Sequence, residues 1–114
     1  MTFHTEATCS ADRASNILTV LGHTHQWGVN FELWLTQQGE ERLIYKQVGA
    51  GAQLQRDPPI MNFPVDAPLR VEKGDRFRMV CEFDNTTDHV LQFPEEMCVT
   101  LMYHYPAEGF QICD

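Results

Sequence analysis

His23 and His25, separated by Thr24, are the residues whose type and spacing first suggest chemistry. Side chains two apart on a strand project to the same face, so two imidazoles at this spacing reach one ion without distorting the backbone. Taken alone, such a pair is more often a surface or hydrogen-bonded arrangement than a metal site. A second segment, Glu95-Glu96-Met97-Cys98-Val99-Thr100, adds a thioether. Thioethers ligate zinc, calcium and magnesium poorly but copper(I) well, so two imidazoles with one methionine form a donor set that selects copper. Met97 in isolation reads as ordinary core packing. Glu95 and Glu96 carry groups suited to acid or base work, yet two adjacent carboxylates read more readily as a solvated loop.

Strands are the elements that must bring these segments together. Arg76 to Phe83 puts Phe77, Met79, Cys81 and Phe83 on one face and Arg76, Arg78 and Glu82 on the other, the two-residue period of a half-buried strand. Glu41 to Val48, Pro68 to Glu72 and Val99 to Tyr105 are rich in β-branched and aromatic residues as well. Turn signals punctuate the chain at Gln38-Gly39, Gly49 to Gly51, Pro58-Pro59, Lys73-Gly74-Asp75 and Asp84-Asn85-Thr86-Thr87. Helical periodicity is lacking, apart from a short turn near Ala11 to Ser15. Many short strands with polar turns predict an all-β chain, an antiparallel sandwich of jelly-roll-like form, folded as one domain over residues 1–114.

Parity in the histidine segment sets a specific expectation. His23, His25, Trp27, Val29, Phe31, Leu33 and Leu35 share one face of an unbroken strand, which would bury both histidines. Gly28 interrupts the run, and a strand-interior glycine often marks a bulge. The chain is therefore expected to kink near Gly28, leaving His23 and His25 on an open face while Phe31, Leu33 and Leu35 point inward.

Bulk properties narrow the partners. The 114 residues fit one modest core, and the formal charge of −8 opposes binding to phosphate backbones or anionic headgroups. Nucleic acid and membrane are thus unexpected partners, and no apolar run approaches the ~20 residues of a spanning helix. No leader pattern opens the chain, so it is expected to be a mature product or a domain of a longer protein. Cys9, Cys81, Cys98 and Cys113 are too widely spaced for a zinc ribbon or a redox CxxC motif. Two disulfides are the simpler reading and imply an extracytoplasmic, periplasmic or secreted location; four buried thiols in a cytosolic domain are the alternative.

Three landmarks carry a resemblance across almost the whole chain: Leu21-Gly22-His23-Thr24-His25, the Gly74-Asp75 turn leading to Cys81, and Glu95-Glu96-Met97-Cys98-Val99 ending in Tyr103-His104-Tyr105-Pro106. In order and separation they resemble the C-terminal domain of the copper type II, ascorbate-dependent monooxygenases. The resemblance implies a copper ion held by His23, His25 and Met97, at which dioxygen is activated and a substrate C–H bond is hydroxylated. It implies pairing of Cys81 with Cys98 and of Cys9 with Cys113, the inner bridge fixing Met97 relative to the histidines or serving as a plain staple. It also implies an electron donor such as ascorbate, and a second copper domain or a redox protein as partner. Peptide-amidating members place an arginine, an asparagine and a tyrosine where this chain has Leu21, Val99 and Leu101, so a peptide-glycine substrate is disfavoured and an apolar or differently anchored one is expected.

Two other functions fit the same residues. One is a copper-binding module for storage, delivery or sensing without turnover, and the other is a disulfide-bonded interaction domain. His4, His89 and His104 are scattered and are expected to be exposed or structural, with His104 of interest because it is expected on the same strand as Met97. Asn85-Thr86-Thr87 fits an N-glycosylation acceptor placed in a turn.

Overall fold

The computed structural model describes residues 2–25, 27–48, 60–91, 96 and 98–105. They form eight strands: β1 (Thr2–Ser10), β2 (Ser15–His23), β3 (Gly28–Gln37), β4 (Glu40–Val48), β5 (Met61–Asn62), β6 (Leu69–Val71), β7 (Arg76–Asp84) and β8 (Val99–Tyr105). No helix occurs among the described residues, and every strand pairing is antiparallel. One sheet runs β1-β7-β3-β4. In the other, β2 is central, with β8 along one edge and β6 and β5 in tandem along the other.

Alternation explains how both sheets feed one core. Phe77, Met79, Cys81 and Phe83 of β7 are buried, as the two-residue period predicts, and Phe31, Leu33 and Leu35 of β3 lie against them in the same cluster. Ile17 and Val20 of β2, Leu69 and Val71 of β6 and Tyr45 of β4 complete that cluster. Removal of these apolar side chains from water is the main force holding the sheets together. Gln38 and Gly39 join β3 to β4 with φ of 52° and 79°, the two positive values that a two-residue hairpin turn of this hand requires.

The expected strands at 41–48, 68–72, 76–83 and 99–105 are all present within a residue or two. β1 has no compositional signal: it is polar, mostly exposed and paired on one side only, to β7. The run from His23 to Leu35 needs correction, because it belongs to two strands in two different sheets. β2 ends at His23, and β3 begins at Gly28 in the other sheet with its register shifting between Gly28 and Asn30. The irregularity expected at Gly28 is present, but it accompanies a change of sheet. Gly49 to Gly51 and Pro58-Pro59 lie outside the described residues.

Cys81 is bridged to Cys98, joining the centre of β7 to the residue preceding β8 and so one sheet to the other. Cys9 on β1 is disulfide-bonded as well, while its expected partner Cys113 lies outside the described residues.

Candidate metal centre

β2 delivers His23 at its last position, paired across from Val99, the first residue of β8. Gly22 immediately before it is packed from the other sheet. A Cβ at position 22 would lie 2.5 Å from Cδ1 of Phe31, so only glycine fits beneath that ring without displacement. Phe31 meets Tyr45 edge to face at 5.7 Å. The side-chain amide of Gln47 donates to the Gly22 carbonyl at 3.2 Å and to the Tyr45 hydroxyl at 3.0 Å. Gly22 also hydrogen-bonds the Tyr45 phenol through its backbone, although burial dominates that phenol and raises its pKa above the ordinary value. The Gln47 amide and the Tyr45 hydroxyl are thus paired where β2 passes over β4, which fixes the strand end carrying His23.

His25 follows in the turn between the sheets. Its carbonyl accepts the Gly28 N–H at 3.1 Å, and the Trp27 carbonyl accepts the Asp84 N–H at 2.8 Å. Thr24 is buried beneath the turn, so close to Gly28 that a Cβ there would meet its Oγ1 at 2.2 Å. The two histidines therefore meet across a strand end and a turn, and not on the shared strand face that their spacing suggests.

The imidazole rings of His23 and His25 stand 5.2 Å apart between centroids, with planes at 82°. Imidazole nitrogens bind transition metals at about 2.0–2.1 Å, which leaves the centres of two rings on one ion roughly 5–6 Å apart. The observed spacing fits. Burial, followed by the charge of His25, lowers the pKa of His23 below its ordinary 6.5, opposed by Glu96, which raises it. A depressed pKa keeps His23 neutral at pH 7, the state in which its nitrogen lone pair is available to a metal.

Glu96 departs from its expected place in a solvated acidic loop, being only 7% exposed. Its Oε1 accepts the backbone N–H of His25 and its Oε2 accepts that of Trp27 at 3.1 Å. These N–H groups belong to a turn outside regular strand pairing, and a carboxylate satisfies both at once with charge-assisted bonds. The only cue in the sequence is an acid beside the methionine and cysteine, and it carries no information about donors in a remote part of the chain.

Met97 and Glu95 lie outside the described residues. Among the described residues no group of three or more His, Cys, Asp or Glu side chains forms a metal-binding cluster. His104 pairs across from Ile17 at the far end of β2 from His23, so it does not join the site; its Nδ1 is buried without a hydrogen-bond partner. His4 and His89 are exposed. Asn85 forms a side-chain turn, accepting the Thr87 N–H at 2.9 Å and donating from Nδ2 to the His89 carbonyl at 2.8 Å. A groove of about 650 Å³ lies at the opposite end of β3, lined in part by Gln37, Glu41, Arg70 and Asp75, and it contains no histidine.

Around His23 the sheet face is apolar. Val99 lies opposite His23 and Leu101 opposite Leu21, so all four share one face, with Leu101 46% exposed. A family model described as copper type II ascorbate-dependent monooxygenase, C-terminal domain, matches residues 1–114. No curated protein matches the chain.

Proposed function

Because the chain belongs to the copper type II ascorbate-dependent monooxygenase family, whose C-terminal domain its whole length matches, we propose that it is the copper-binding, oxygen-activating domain of a C–H hydroxylase. Its ligands are His23, His25 and Met97. When bound, copper supplies the one-electron chemistry by which dioxygen is activated with electrons from a donor such as ascorbate. Everything else is the work of the chain's own side chains.

The observation that carries this reading is the approach of two imidazoles to within 5.2 Å, on a strand end and a turn that are each fixed by the opposite sheet. His23, desolvated and neutral, offers a lone pair at neutral pH. Residues on both sides of position 97 are tied down, Glu96 by hydrogen bonds to the histidine turn and Cys98 by its bridge to Cys81. Through Glu96, the residue next to Met97 in sequence is bonded directly to the turn that carries His25. Leu21, Val99 and Leu101 share the face of His23 and offer no positive charge to grip a carboxylate, which supports an apolar substrate. The two sheets are read as the layers of a jelly-roll-like sandwich with an outer Cys9–Cys113 tie, in an extracytoplasmic protein.

Titration with copper(I) tests the ligand set. His23→Ala and Met97→Ala should each weaken binding by at least an order of magnitude, since each removes one of three donors. Binding unchanged in both variants refutes the assignment. Oxygen uptake in the presence of ascorbate and copper, dependent on Met97, separates a hydroxylase domain from a storage or delivery module, which binds copper and consumes no oxygen.

A further inference from the structure

We infer that Glu96 is a positioning residue of the copper site, a carboxylate clamp that holds the His25 turn against the segment carrying Met97. The inference rests on the copper assignment above for its purpose, but its geometry stands without metal. Glu96 is nearly closed to solvent, and its two oxygens accept N–H groups from two positions of one turn, His25 and Trp27. Burying a carboxylate is costly unless it is well hydrogen-bonded, so a carboxylate retained in this position is compensated by these donors.

Geometry explains what the clamp accomplishes. The two parts of the proposed ligand set come from remote stretches of the chain, and the hydrogen bond that the Gly28 N–H donates to the His25 carbonyl is local to the turn. The Glu96 bonds, by contrast, close a sequence separation of 71 residues at His25 and 69 at Trp27. The Cys81–Cys98 bridge fastens the same segment to the first sheet, but from the far side of position 97. Together the two ties fix the backbone before and after that position. Of the two, Glu96 is the one that refers the methionine segment directly to a histidine ligand. Removing partners that orient metal ligands commonly costs 10- to 100-fold in metal affinity.

Amide hydrogen exchange of the metal-free protein, together with copper(I) affinity and X-ray absorption of the copper(I)-loaded protein, tests the clamp through Glu96→Gln, which keeps the side chain's size but loses its charge and one acceptor. In the parent, the His25 and Trp27 amides are expected to be protected. In Glu96→Gln one of them should exchange faster while core amides of β7 stay protected, copper(I) affinity should fall about tenfold or more, and the sulfur scatterer should weaken while the imidazole signal persists. A purely structural glutamate would instead lower stability with the sulfur signal intact. Unprotected His25 and Trp27 amides in the parent overturn the inference without any variant, so a Glu96→Gln protein that fails to fold does not shield it. Retained affinity and sulfur signal in Glu96→Gln, with both lost in Met97→Ala, also overturn it and leave the ligand assignment standing. If His23→Ala and Met97→Ala bind copper(I) like the parent, the ligand assignment fails, and the clamp loses its purpose with it, whatever the amides show.

Discussion

Replacing Gly22 with alanine places a methyl carbon 2.5, 2.6 and 2.8 Å from Cδ1, Cε1 and Cγ of Phe31, where ordinary carbon contacts begin near ~3.5 Å. Restoring that contact distance takes roughly 1 Å of movement. Phe31 is 1% exposed and meets Tyr45 edge to face, so its ring has no solvent to retreat into. The alternative is for the end of β2 to lift, which strains the bond from Gln47 to the Gly22 carbonyl. Overpacking of this kind typically costs about 1–3 kcal/mol. At about 2.1 cal/mol/K of unfolding entropy per residue, each kcal/mol corresponds to a fall in Tm of roughly 4 °C for a domain of this size, so a loss between about 4 and 13 °C is expected by circular dichroism. Lifting β2 also moves His23, and copper(I) affinity should fall with stability. Phe31→Leu in the Gly22→Ala background relieves the contact, and the double-mutant cycle should show a favourable coupling of at least about 0.5 kcal/mol. A Gly22→Ala protein that melts at the same temperature as the parent, with no coupling to Phe31, refutes the reasoning.

Cys98→Ala removes a bridge between residues 17 apart and should lower stability by about 3 kcal/mol in denaturant titration if the chain-entropy account holds; an unchanged midpoint denies the bridge a stabilising role. The pKa of Glu32 is lowered from the ordinary 4.5, first by the hydrogen bond from the Trp34 indole. Its stabilising contribution is therefore complete above pH 4.5 and disappears as pH falls through the lower folded value, so the stability gap between parent and Trp34→Phe should narrow on acidification; a constant gap contradicts the linkage. Copper(I) in excess should raise Tm in the parent, because a ligand bound only by the folded state stabilises it, and chelation should reverse the rise; Met97→Ala should show a smaller rise, measured by scanning calorimetry.

Legibility in the sequence depends on where each residue's constraint comes from. β7 can be read because its constraint is local: one face is core, the other is wet, and the alternation Phe77, Met79, Cys81, Phe83 records both. The hairpin at Gln38-Gly39 is local for the same reason. β1 leaves no such trace, since an edge strand with polar side chains is held mainly by hydrogen bonds to β7. The passage from β2 to β3 is hidden because apolar parity continues through residues 23–35 even though the chain changes sheets within it. The closeness of His23 and His25 is anticipated by their spacing, and the pairing of Cys81 with Cys98 by family resemblance. Glu96 cannot be found this way, because its partners are N–H groups that become available only when a distant turn forms.

With Cys81 closed to solvent, the Cys81–Cys98 bridge is open to thiol reductants from one side at most. A thiolate must attack one of the two sulfurs directly, and the half of the bridge belonging to Cys81 is sealed in the core at 0% exposure, so attack is confined to the Cys98 side. The tie beside the proposed copper ligand is thereby shielded on one flank from exchange with small thiols.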